Sequence, residues 1–110
     1  MRTPPQVVFH GMDHSDAVEI RIGEEIEKLE RLNSHITDCR VTVESPHRHH
    51  SNGAPYNISI NINVPGDTLT VRSGAVKSSH DDINLAVRDA FAAMTRRLKE
   101  YSARRTTHRG

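Results

Sequence analysis

The chain has few aromatic residues, a single cysteine and no long apolar run. The four aromatic residues are Phe9, Tyr56, Phe91 and Tyr101, so few rings are available to recognise a ligand by stacking. One cysteine excludes an internal disulfide and a Cys-x-x-Cys zinc or redox site. No stretch approaches the roughly 20 apolar residues of a membrane span, and no apolar export segment follows the N-terminus. We therefore expect a soluble, cytoplasmic protein.

A length of 110 residues suits one domain with one modest hydrophobic core. We predict a single domain over residues 1–110, with its core at about 6–105 and a basic C-terminal tail at 106–110. Because aromatic residues are scarce, the core has to be built from aliphatic side chains and methionine.

The first half of the chain predicts two strands separated by a helix. Residues 6–10 form a short apolar run behind two prolines, which disfavour a helix and indicate a first strand. Asp16 and Glu19 have the spacing of a helix-capping box, and apolar residues then recur at helical spacing to about Asn33. In the segment 36–44, apolar and polar residues alternate from Cys39 onward, as in a strand with one buried face.

The second half predicts a hairpin followed by a long helix. Residues 56–64 alternate apolar residues with asparagine and serine, which must face solvent. Pro65 and Gly66 fit the centre of a type II turn leading into a strand at 68–72. From Asp82 onward, apolar residues no longer alternate with polar ones but recur at helical spacing. A narrow apolar stripe on this helix consists of Val87, Phe91, Met94, Leu98 and Tyr101. The order β-α-β-β-β-α predicts an α+β fold, with a four-stranded sheet and both helices on its one apolar face.

A net charge of +1 conceals a strong asymmetry along the chain. Residues 13–30 contain seven acidic and two basic residues, whereas residues 88–110 contain seven basic and two acidic ones. The basic end therefore predicts an anionic partner, and the acidic first helix predicts a surface turned away from that partner.

Cations of the second helix are the leading candidates for binding phosphate. Helical geometry places Arg88, Arg96 and Lys99 on one flank of the stripe, and Arg97 and Arg104 on the other. Guanidinium groups match phosphate oxygens bidentately, although cations near a helix C-terminus are also ordinary solvated groups. The full predicted RNA-binding set is Arg40, Arg48, Arg88, Arg96, Arg97, Lys99, Arg104 and Arg105.

The histidines of residues 47–50 permit a metal-binding interpretation, but no cysteine pair or carboxylate accompanies them. We favour a solvated loop and expect no metal, cofactor or small-molecule substrate. Cys39 alternates inward on its strand, which makes it a small core residue rather than a nucleophile. With no Gly-rich phosphate loop and no catalytic constellation, we expect a protein that is not an enzyme.

Several segments in order resemble the family of ribosome hibernation-promoting factor and ribosome-associated inhibitor A. They are residues 6–11, the strand at 36–44, residues 82–87 at the start of the last helix, and Arg96-Arg97-Leu98, which is similar to the family's Arg-Gln-Leu. The run from Glu44 to His50 is similar to a subgroup in which a cold-shock domain can follow this module. The sequence shows no segment like the C-terminal dimerisation domain of the long factors, so we expect that this chain alone does not pair ribosomes.

The resemblance implies a double-stranded-RNA-binding-like fold that occupies the small ribosomal subunit and silences translation during stress or stationary phase. Arg96 matches a family arginine, while Arg88 stands where relatives often carry an acid. Ala93 and Glu100 occupy positions where lysines are common in the family. Two alternatives remain. One is a general RNA-binding or adaptor module, which the acid at Glu100 favours. The other is a metal-binding protein that uses His47, His49 and His50.

Overall fold

The computed structural model describes residues 3–45, 56–73 and 83–109. Six elements follow one another along the chain: β1 (Gln6–His10), α1 (Asp16–Leu32), β2 (Asp38–Glu44), β3 (Asn57–Val64), β4 (Asp67–Ser73) and α2 (Ile83–Arg109). This order confirms the predicted β-α-β-β-β-α arrangement. The predicted start of α2 at Asp82 lies outside the described residues, and its helical backbone continues through most of the predicted tail.

The four strands form one sheet in the order β1-β2-β3-β4. β1 is parallel to β2, as a strand-helix-strand crossover through α1 requires, and the other neighbours are antiparallel. The register sets apolar residues opposite one another, for example Val41 opposite Val7 and Ile60. The α+β fold with both helices on one sheet face is therefore confirmed, whereas the likeness to double-stranded-RNA-binding domains stays a prediction.

The hydrophobic core lies between this apolar sheet face and the two helices. β2, β3 and β4 contribute alternate residues to it: Cys39, Val41, Val43, Ile58, Ile60, Ile62, Val64 and Leu69. The helices contribute the residues of their inward faces: Val18, Ile22, Ile26, Leu29, Ala86, Val87, Ala90, Phe91, Met94, Leu98 and Tyr101. Burying each large apolar side chain stabilises the fold by about 1.5–3 kcal/mol, and every residue of the stripe predicted on α2 is buried.

The start of α1 differs from the prediction. Ser15, not Asp16, is the N-cap, because the Ser15 Oγ accepts a hydrogen bond from the Val18 backbone N–H at 3.3 Å. Asp16 is already the first helical residue. The predicted capping box is therefore wrong, since Glu19 lies four residues after the true cap instead of three.

The predicted turn at Pro65 and Gly66 joins β3 to β4, and Gly66 has the positive φ of 82° that this type of turn requires. Near the far end of α2, the Tyr101 hydroxyl donates to the Pro65 carbonyl oxygen at 2.7 Å. Asn33, at the end of α1, donates its side-chain N–H to Ser102 Oγ at 3.1 Å. α1 leads from the end of β1 to the start of β2, and the Tyr101 contact places the last part of α2 beside the turn before β4, which starts at the same end of the sheet as β2. The two helices therefore run in the same direction, side by side on the sheet.

Candidate nucleic-acid interface

The solvent side of α2 carries a row of exposed cations. Arg88, Arg96 and Lys99 are exposed on the side of the helix away from its buried stripe. At 1.5 Å per residue they cover about 16 Å of the helix axis, with Arg96 and Lys99 as i,i+3 neighbours. The side chain of Arg88 is 65% exposed and its Nε lies 3.9 Å from an Asp89 carboxylate oxygen, a surface pair of little energetic weight.

Arg97 and Arg104 are exposed on the other flank, as predicted. The Arg97 Nη1 donates to the Thr70 carbonyl oxygen at 3.0 Å, so this guanidinium crosses to β4, the edge strand of the sheet. The bond attaches α2 to the sheet and occupies part of the hydrogen-bonding capacity of Arg97. The structure thus gives Arg97 a structural contact that the sequence pattern could not show.

The structure does not bring Arg40 together with the cations of α2. Arg40 is exposed on the outer sheet face, opposite Gln6 and Asn61 in register, whereas both helices cover the inner face. A shallow groove beside it is lined by polar residues of β2 and β3 and by residues near the N-terminus. Arg72, which the sequence analysis missed, lies on the same face opposite Ser59.

Two members of the predicted set have no described side chain. Arg48 and the three histidines around it lie outside the described residues, and the same holds for the side chain of Arg105, although its backbone belongs to α2. The metal-binding interpretation of residues 47–50 therefore stays untested.

The acidic helix α1 is the direct neighbour of the basic helix α2. It lies beside α2 on the same sheet face, joined to it by the bond between Asn33 and Ser102. Within α1, Glu25 pairs with Arg21 at 3.7 Å and with Lys28 at 3.4 Å. The helical layer therefore has an acidic half and a basic half that both face solvent, and the orientation of the acidic half away from an anionic partner stays a prediction.

A group of possible metal ligands that the sequence analysis missed lies at the start of α1. The His14 Nε2 is 3.0 Å from an Asp16 carboxylate oxygen and 2.9 Å from a Glu19 carboxylate oxygen. The His14 ring also contacts the ring of Phe9 edge-on, with centroids 4.9 Å apart. Hydrogen bonds from the imidazole account for these distances, and carboxylates are favoured at a helix N-terminus without any ion. The spacing His-x-Asp-x-x-Glu before a helix was the available sequence signal.

Cys39 is a core residue, as predicted, and only 3% of its surface is exposed. Burial, and to a lesser degree the neighbouring carboxylates of Asp38 and Glu30, raise the pKa of its thiol to about 12. The thiol is therefore protonated at neutral pH and cannot act as a nucleophile there. Among the described residues, no helix has the length and hydrophobicity needed to cross a membrane.

Two solved structures share this arrangement of a sheet and two helices. A ribosomal subunit interface protein from Coxiella burnetii superposes with a TM-score of 0.73 at 17% identity, over 90% of this chain and 97% of the other. The N-terminal domain of Protein Y from Thermus thermophilus superposes with a TM-score of 0.68 at 12% identity, over 87% and 94%. At such identities the likeness establishes the fold. No curated protein matches the chain significantly.

Residues 6–106 match the family described as Sigma 54 modulation protein / S30EA ribosomal protein. The match covers nearly the whole chain, so the protein belongs to this family of ribosome-associated modulation and hibernation factors. It confirms the resemblance on which the sequence analysis relied. The family is not known as a family of enzymes.

Proposed function

We propose that this protein binds the small ribosomal subunit through ribosomal RNA and holds ribosomes idle in the cytoplasm during stress or stationary phase. The observation that carries the proposal is the row of exposed cations Arg88, Arg96 and Lys99 on α2, in a chain that belongs to a ribosome-associated family. The solved neighbour described as a ribosomal subunit interface protein supports the same partner.

The chemistry of the surface favours contacts to phosphate over reading of bases. Phe91 and Tyr101 are buried, and Phe9 and Tyr56 are half-buried and pack against the core, so no phenylalanine or tyrosine ring stands free for stacking on a base. Folded ribosomal RNA can be recognised by its shape and backbone, which requires cations at fixed positions. A helix held against the sheet by its whole buried stripe supplies such positions.

The predicted residues have different parts in this proposal. Arg88, Arg96, Lys99 and Arg104 make the principal phosphate contacts, because they are exposed on α2. Arg97 adds its remaining donors at the edge of the sheet. Arg105 and Arg48 remain candidates from the sequence, and Arg40 can only contribute from the outer sheet face, by meeting a second segment of RNA.

A second candidate function is general RNA binding without a ribosomal site. Glu100 favours it, because this exposed acid directly follows Lys99 on α2 and repels a phosphate close to it. The two functions differ in selectivity: a ribosomal factor binds small subunits far more tightly than unrelated structured RNA, whereas a general module does not.

Cosedimentation distinguishes the two functions. The full chain is incubated with purified small subunits, large subunits, or small subunits plus an excess of unrelated double-stranded RNA, and cell-free translation of a reporter is followed in parallel. We expect sedimentation with small subunits alone, persistence in the presence of competitor, and reduced translation. Equal binding to both subunits and loss to competitor would support the general module. Calorimetric titration with zinc and copper tests the metal-binding alternative separately.

A further inference from the structure

The exposed faces of α1 and α2 carry charged groups that have no partner within the described part of the chain. Glu24 and Glu27 on α1 form no ion pair with another described residue, and neither do Arg96 and Lys99 on α2. Glu25 pairs with Arg21 and Lys28, and the third base of α1, Arg31, forms no ion pair with another described residue, so Glu24 and Glu27 remain available. The two helices therefore present opposite charges to solvent side by side.

The contact between α1 and α2 determines which of their charged residues lie at the same height, that is, at the same position along the two helix axes. Because α1 and α2 run in the same direction and Asn33 bonds Ser102, a residue of α1 lies at about the height of the residue 69 positions later on α2. Glu27 is thus level with Arg96, and Arg31 is level with Glu100. All four of these side chains are exposed, and each helix carries its pair at the i,i+4 spacing that aligns two side chains on one face.

We infer that the helical layer is an interface between two copies of this chain. A twofold axis parallel to the helices and between the two layers places α1 of each copy over α2 of the other, and it preserves height along the helices. Glu27 then faces Arg96 of the second copy, and Arg31 faces its Glu100. Both complementary pairs occur twice in the dimer, once on each side of the axis.

An apolar contact accompanies these charges near the start of the helices. Ile20 is 64% exposed on the solvent side of α1, an unusual position for a large aliphatic residue. By the same register it is level with Asp89 of α2, and the exposed Ala92 and Leu85, which is 38% exposed, lie about one turn on either side of that height. In the dimer, Ile20 of each copy contacts Leu85 and Ala92 of the other, on either side of Asp89.

The size of the surface sets the strength of the association. α1 has 17 residues, and two adjacent helices of that length present about 25 by 20 Å. This area is below the roughly 800 Å² per partner of a standard stable interface. The dimer is therefore weak, it forms at high protein concentration, and salt dissociates it because its pairs are exposed.

The dimer would cover Arg96 and Lys99, so self-association and RNA binding exclude each other. This consequence rests on the proposed function, whereas the association itself does not. The experiment that tests the dimer accordingly contains no RNA, and a failure to dimerise leaves the proposed function intact.

Sedimentation velocity of the full chain, from micromolar to millimolar concentration at low and high salt, measures the association. Glu27→Arg and Arg96→Glu should each weaken it at least about tenfold, because each variant opposes like charges twice in the dimer. An equimolar mixture of the two single variants should regain the wild-type level, since both contacts are then complementary in the mixed dimer. Thermal unfolding of each variant checks that these exposed substitutions leave the fold intact.

The double variant with Glu27→Arg and Arg96→Glu should likewise dimerise as wild type does. A wild-type chain that stays monomeric at low salt and millimolar concentration overturns the inference. Association that neither single variant weakens, or single variants that do not associate with each other when mixed, overturns it as well, because a different surface would then be responsible.

Discussion

The two helices bury equivalent apolar stripes against the same sheet face, yet their solvent sides have opposite charge. α1 covers the sheet with valine, isoleucine and leucine, and α2 does so with a larger set that includes Phe91 and Tyr101. The core constrains only the inward positions, so the outward ones are free to differ. The stability of the fold thus depends on the inward apolar stripes that both helices have, and its proposed function depends on the outward charges, which differ between them.

Truncation in the core should affect stability most. Phe91→Ala removes a ring that is 2% exposed and should lower the free energy of unfolding by about 3–5 kcal/mol, measured by urea titration. Ile26→Ala on α1, 3% exposed, should cost about 2–5 kcal/mol, since both helices face one core. Ala92→Ser on the exposed side of α2 serves as the control and should change stability by under about 0.5 kcal/mol. If only one of the two alanine variants lowered the free energy of unfolding, the result would contradict a core shared by both helices.

Removing the N-cap of α1 should have a smaller effect. Ser15→Ala deletes the acceptor of the Val18 N–H and should destabilise the protein by about 1 kcal/mol. Asp16→Ala removes a favourable charge in the first turn and an exposed contact with His14, which adds little stability at the surface, so its cost should be about half as large or less. Thermal or urea unfolding of the two variants shows whether Ser15 or Asp16 caps the helix. A larger loss of stability for Asp16→Ala would support Asp16, the cap predicted from the sequence.

Removing acids from α1 should have the least effect on ribosome binding. Glu24→Ala combined with Glu27→Ala should change the affinity for small subunits by under about twofold at physiological salt, in the direction of tighter binding. The reason is that carboxylates beside the basic helix repel phosphate weakly across a screened distance. Filter binding or cosedimentation measures the change. Clearly weaker binding would indicate that the acidic half of the helical layer contacts the ribosome itself.

Local periodicity explains why the sequence predicted the elements so well. The alternation over residues 57–64 determines both the strand and its buried face, and the stripe from Val87 to Tyr101 determines how α2 packs. The N-cap was misassigned because Ser15 and Asp16 are adjacent and both residue types cap helices well. The outward direction of Arg40 also followed from alternation, and with it the separation of Arg40 from α2.

Contacts between distant segments were beyond the sequence. The bond from Arg97 to the Thr70 carbonyl joins residues 27 positions apart, and no local pattern indicates it. The placement of α1 beside α2 depends on the order of the strands and on packing, which a charge count along the chain cannot supply. Cations can thus be recognised from sequence, but their neighbours cannot.

Binding of ribosomal RNA by the basic face of α2 is what the proposed function requires. Its most direct test is the salt dependence of small-subunit binding for wild type and for Arg96→Ala combined with Lys99→Ala. Both side chains are exposed and lie outside the buried stripe, so the variant should keep its fold and thermal stability. The slope of log affinity against log salt should become shallower by roughly one unit per residue removed. Binding equal to wild type at every salt concentration would show that α2 does not face the ribosome.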